Sequence, residues 1–184
     1  MALLAATPVP DAAETRTNAT FEALMWALSR PGTVHDLPGA DPALIAEALV
    51  DRECHVWCAD PALAARIAAT GAQAADPGRA DHLFLAGADA DTALAIIARA
   101  AVGSDLYPDE GATIILPARF GTGVRLRLSG PGIETEALIA VDGPSPGLWP
   151  LRAARCRYPM GFDLFLTSGA QVIGLPRSSL IEVL

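Results

Sequence analysis

Residues Glu53–Gly71 read ECHVWCADPALAARIAATG, and this stretch decides the fold class. Cys54–Cys58 is a short run with β-favouring side chains and predicts a strand. Asp60-Pro61 then marks a helix start. The acid can accept a hydrogen bond from a free backbone N–H, and proline gives up only an N–H that has no partner at that position. Asp41-Pro42 carries the same signal upstream. Downstream, residues 82–86 (HLFLA) form another apolar run of strand length. Asp91 can cap a helix to about Val102, with Leu94, Ile97, Ala98 and Ala101 turned inward. Helices and strands thus alternate through the first 105 residues, which predicts an α/β fold with a mixed, at least partly parallel sheet flanked by helices.

Residues 14–30 predict a helix with Phe21, Leu24, Met25 and Leu28 on one apolar stripe. Pro31-Gly32 ends it, since proline pushes Arg30 away from helical geometry. Trp26 lies off the stripe, which fits either a helix covered on two sides or a subunit contact. Beyond residue 105 the pattern turns to β. Gly111–Leu116 (GATIIL) is a strand run, and Val124–Leu128 (VRLRL) alternates. Ile133–Val141 pairs back after the Gly130-Pro131-Gly132 turn. Gly143–Pro150 reads as a loop, and Asp163–Thr167 and Gln171–Leu175 form a hairpin around Ser168-Gly169-Ala170. Without repeats or linkers, residues 1–184 are expected to form a single domain.

The hydrophobic fraction of 52% and the charged fraction of 18% belong to a globular chain. No run reaches the roughly 20 apolar residues of a membrane helix, and Met1–Pro10 lacks the basic and apolar regions of a secretory signal. A cytoplasmic location without membrane attachment is therefore expected. Three cysteines suit that compartment. On a strand, Cys54 and Cys58 stand about 13 Å apart, which excludes a mutual disulfide and a shared metal ion. They are expected to be buried packing thiols.

The net charge of −8 argues against nucleic-acid partners. Residues 1–118 hold 6 arginines and 16 acids, whereas residues 119–184 hold 7 arginines and 5 acids. The later part could offer its arginines to an anionic ligand or an acidic partner. All 13 basic residues are arginine. Without lysine the chain can form no Schiff base with pyridoxal phosphate (PLP), so no cofactor is expected.

No nucleophile elbow, zinc-protease motif, phosphate loop or dinucleotide fingerprint is present, and the three histidines are scattered. No catalytic or metal-ligating residue is therefore assigned. One candidate ligand site stands out. Strand alternation puts Arg125, Arg127 and Ser129 on one face, and the following turn offers the N–H groups of Gly130 and Gly132, as anion nests do. Arg177, beside Ser178 and Ser179, adds a further fork-shaped donor. Together they could hold phosphate or phosphonate oxygens; the alternative is a solvated strand face.

Five segments in order resemble the PhnH family, the H subunit of the bacterial carbon–phosphorus lyase system. They are Phe21–Gly32 (FEALMWALSRPG), Tyr107–Leu116 (YPDEGATIIL), Leu126–Ile133 (LRLSGPGI), Tyr158–Leu166 (YPMGFDLFL) and Leu175–Ser179 (LPRSS). The resemblance implies a homodimer with a fold like that of PLP-dependent transferases but without the PLP site. It implies an accessory subunit of a complex with G, I and J subunits, which displaces adenine from ATP to make ribose 1-methylphosphonate triphosphate. A radical subunit with an iron–sulfur cluster then breaks the carbon–phosphorus bond. The resemblance carries no catalytic residues over to this chain. The alternative is a stand-alone enzyme or a ligand sensor that uses the arginine face on a phosphorylated ligand.

Overall fold

A computed structural model describes residues 9–184. The chain opens with α1 (Ala12–Ser29), β1 (His35–Asp36), α2 (Ala43–Leu49), β2 (His55–Cys58) and α3 (Pro61–Ala68). It continues through β3 (Gln73–Ala74), β4 (His82–Phe84), α4 (Ala90–Ile97), β5 (Thr113–Pro117), β6 (Arg119–Ser129) and β7 (Ala137–Asp142). The last elements are α5 (Leu148–Arg155), β8 (Asp163–Ser168), β9 (Gln171–Leu175) and β10 (Leu180–Val183).

Seven strands form one sheet in the order β1-β9-β8-β5-β4-β2-β3, and three form a second in the order β10-β6-β7. The pairs from β8 through β5, β4 and β2 to β3 are parallel, while β8–β9 and β1–β9 are antiparallel. The expected mixed, at least partly parallel sheet flanked by helices forms, and most of its pairs are parallel. Alternation splits the large sheet's side chains between two apolar cores. Leu83, Ile114, Leu164 and Ile173 pack with α4, α5 and the small sheet, whereas Phe84, Ile115, Phe165 and Val172 pack with α1, α2 and α3.

Local chemistry sets the helix starts. Asp11 accepts from Ala13 and Glu14 N–H while Glu14 returns a bond to Asp11 N–H, a reciprocal capping box. Asp60 caps α3 through Leu63 N–H, with Pro61 at the first helical position. Asp41 accepts from Ala43 N–H and Arg66, which together hold its carboxyl below the usual carboxylate range.

Several sequence expectations need correcting. Asp89, not Asp91, caps α4, because its side chain reaches the N–H groups of Asp91 and Thr92. The helix ends at Ile97, well short of Val102, and buries Ala93, Ile96 and Ile97, so its inner face is turned by one residue. Residues 143–150 are only partly loop. Helix α5 starts at Leu148 and places Pro150 in its first turn, where proline is tolerated. Cys54 and Cys58 are half-buried rather than buried, and burial raises both thiol pKa values.

The largest correction concerns α1, which turns Thr20, Ala23, Leu24 and Ala27 inward. Phe21 and Met25, expected in the core, are 51% and 47% exposed. The reason lies in β9. Gly174 lets the α1 backbone approach so closely that an added Cβ would lie 2.5 Å from the Ala27 carbonyl. Such proximity admits only small side chains on the facing stripe.

Candidate functional site

The alternation of VRLRL is real. Leu126 and Leu128 are fully buried, Arg125 is exposed, and Arg127 and Ser129 are half-buried. Two of the candidate anion ligands, Arg127 and Arg177, are nevertheless engaged elsewhere. Arg127 bridges two carboxylates, with Nε 3.1 Å from Glu136 and Nη1 2.9 Å from Glu182 of β10. Gly130 and Gly132 adopt positive φ, and the turn leaves no room for a side chain at either position although Pro131 and Gly132 are exposed. A Cβ on Gly130 would meet Ser178 O at 3.0 Å, and one on Gly132 would strike Ser29 O at the end of α1. Arg177 works at the other sheet. Its Nη2 lies 2.7 Å from Asp163 at the start of β8, and its N–H groups also reach the carbonyls of Pro108 and Gly111. Arg127 and Arg177 therefore do not converge on one ligand position. Arg125 remains exposed, with no ion pair among the described residues.

The arginine excess after residue 118 is largely absorbed internally. Arg119 pairs with Asp142, and Arg155 donates to Ala100 O. Arg152 is buried in α5 and donates to the carbonyls of Leu175, Pro176 and Ser179, with burial lowering its pKa. Sequence reading passed over Arg152 because its helix was not expected. A guanidinium among carbonyls satisfies backbone acceptors that would otherwise be costly to bury.

Arg177 also ties together segments far apart in sequence. It joins the Tyr107–Leu116 segment through Pro108 and Gly111 to the Tyr158–Leu166 segment through Asp163. The Leu126–Ile133 segment in turn packs against Ser29 and Pro31 of the first segment and Ser178 of the last. The five segments that carry the family resemblance therefore form one connected framework.

Two concavities lie at opposite ends of the parallel strands. The carboxyl ends, where ligands commonly bind in α/β sheets, hold a crevice of about 240 Å³ lined by Leu37, Ile45, Phe84, Pro117 and Thr167. Its charged lining residue, Asp41, is already paired with Arg66 at 2.6 Å. This wall offers an anion little. At the amino ends, a groove of about 470 Å³ runs between Phe21, Met25 and Leu28 of α1 and Leu49, His82 and Phe165. Among the described residues, no group of three or more His, Cys, Asp or Glu could hold a metal ion. No described helix is long and apolar enough to cross a membrane.

His82 is the one titratable group lining that groove. Burial lowers its pKa from 6.5, outweighing the nearby carboxylates of Asp81 and Asp51. The unfolded chain thus takes up this proton at a higher pH than the native one. The contribution is complete above about pH 6.5 and is lost as pH falls through that value toward the lower native pKa. Urea midpoints should therefore fall between pH 7.5 and 5.5, and more steeply than in His82→Gln. Equal slopes in both proteins would show that His82 is not the group.

The fold and the groove define an α/β protein with a strong internal framework and an exposed apolar face on α1. A family model described as bacterial phosphonate metabolism protein (PhnH) matches residues 10–182. The chain belongs to the PhnH family. It is 37% identical over 176 residues to HtxG of Stutzerimonas stutzeri, named as a C–P lyase subunit protein, covering 91% of this chain and 87% of the relative. It is 31% identical over 179 residues to the alpha-D-ribose 1-methylphosphonate 5-triphosphate synthase subunit PhnH of Rhizobium meliloti (strain 1021), covering 88% of each.

Proposed function

We propose that this chain is an accessory, non-catalytic subunit of a carbon–phosphorus lyase core complex. In this reading it is needed for phosphonate catabolism and supports transfer of methylphosphonate onto ATP-derived ribose with release of adenine. The observation that carries the reading is the family match across residues 10–182. The partners are the G, I and J subunits, and the chain also associates as a homodimer in the cytoplasm. It works without PLP, since none of its 184 residues is a lysine that could bind the cofactor covalently.

The internal pairing of Arg127 and Arg177 favours this reading over a stand-alone enzyme that grips phosphate. A ligand-sensing role is the second reading, supported by Arg125, which is exposed and has no ion pair among the described residues. Incubated alone with ATP and methylphosphonate, the pure chain should release no adenine. Mixed with the G, I and J subunits, it should be required for release. Substantial turnover by the chain alone would overturn the accessory reading.

A further inference from the structure

The large sheet reverses its winding between β2 and β4. From β2 the chain crosses through α3 to β3 on one side, and from β4 it crosses through α4 to β5 on the other. The two helices lie on opposite faces. Leu63 and Ile67 of α3 belong to one apolar core, and Ala93 and Ile97 of α4 belong to the other. In open α/β sheets such a reversal parts the connections at the carboxyl ends of the strands and leaves a crevice where ligands bind. The crevice of about 240 Å³ reaches this point through β4. Its floor is Phe84, Pro117 and Thr167, at the ends of β4, β5 and β8, and its wall includes Leu37, Asp41 and Ile45.

The lining sets the chemistry of what fits. Leu37, Ile45, Phe84 and Pro117 suit an apolar body. Two polar side chains, Asp41 and Thr167, join them. Asp41 accepts from Ala43 N–H through Oδ1 and from Arg66 through Oδ2. Each carboxylate oxygen keeps a further lone pair for a donor on a ligand, and the Thr167 hydroxyl can donate or accept. An anion would meet the Asp41 carboxylate, and Arg66 is already shared between Asp41 and Glu47. A cation would lose water against mostly apolar walls, while Arg66 already balances the Asp41 charge. Size narrows the class further. The volume lies below the roughly 300–1,000 Å³ of pockets for drug-sized ligands, which suits one ring or a short branched molecule.

We propose that this crevice binds a small uncharged molecule with an apolar body and an N–H donor that meets Asp41. The site is separate from the arginine face and goes beyond the subunit reading.

Benzamide, benzoate and benzamidine share one shape and differ in charge, so titrating the full chain with each, followed by ligand-observed NMR, tests the class. Benzamide should bind with a Kd of about 1 mM or below, and benzoate at least about tenfold more weakly. Benzamidine should bind no more tightly than benzamide. Ala86→Leu enlarges a half-buried lining residue and should weaken benzamide binding by at least about tenfold. Thr167→Val keeps the shape, removes the hydroxyl and should weaken it by roughly three- to tenfold. Asp41→Asn removes the carboxylate and releases Arg66, so benzoate should then bind at least as well as benzamide. Ala86→Leu and Thr167→Val should melt within about 2 °C of the wild type. No benzamide binding by the wild type, or wild-type affinity in both Ala86→Leu and Thr167→Val, overturns the site. Benzoate or benzamidine binding more tightly than benzamide to the wild type overturns the uncharged class. None of these outcomes bears on the subunit reading, which adenine release with G, I and J tests separately.

Discussion

Arg177→Ala is expected to destabilise the protein by about 3–5 kcal/mol, the usual cost of removing one partner from a largely buried ion pair. The side chains of Arg177 and Asp163 are only 16% and 19% exposed. Truncation leaves the Asp163 carboxylate with little solvent to replace the guanidinium. It also removes donors to the carbonyls of Pro108 and Gly111, so the approaches to β5 and β8 lose their common tie. For a chain of this length the loss corresponds to a melting point lower by roughly 6–20 °C. Arg177→Lys should recover part of it, since one ammonium can meet Asp163 but cannot span the same carbonyls. Melting by calorimetry within about 1 °C of the wild type would show that the pair is not structural.

Gly174→Ala is the second large effect. An added Cβ would lie 2.5 Å from the Ala27 carbonyl carbon and oxygen and 2.7 Å from Leu28 N. These are backbone atoms, so no rotamer change relieves the clash and α1 must move off β9. Overpacking of this kind costs about 1–3 kcal/mol, with the upper end expected where backbone must shift. Replacing Ala27 by glycine as well should not rescue the protein, because the obstructing atoms remain. Displacing α1 also distorts the groove that Phe21, Met25 and Leu28 wall. A fully stable Gly174→Ala would mean that α1 is seated less closely on the sheet.

These expectations follow from features that sequence periodicity reveals unevenly. The parallel sheet was legible because Asp60-Pro61 and the runs at 55–58 and 82–84 are local signals with local causes. The face of VRLRL was legible for the same reason. The rotation of α1 was not. A stripe of Phe21, Leu24, Met25 and Leu28 is more apolar than Thr20, Ala23 and Ala27, and only the glycine 147 residues after Ala27 makes the smaller stripe the buried one. Helix α5 was hidden by the proline in its first turn. Strand β10 was missed because four residues hold no clear period and are fixed by pairing with β6. The separate engagement of Arg127 and Arg177 was hidden for a similar reason. Glu136, Glu182 and Asp163, which engage Arg127 and Arg177, come from separate segments brought together by the tertiary fold.

A framework so heavily tied internally, with its large apolar side chains left outward on α1, suits a part that is held by others. The most direct test is native mass spectrometry of this chain co-expressed with the G, I and J subunits. The expected result is one particle containing all four, and a G–I–J particle lacking adenine-releasing activity when this chain is omitted. Full activity of G, I and J without it, with this chain free at every ionic strength, would contradict the account.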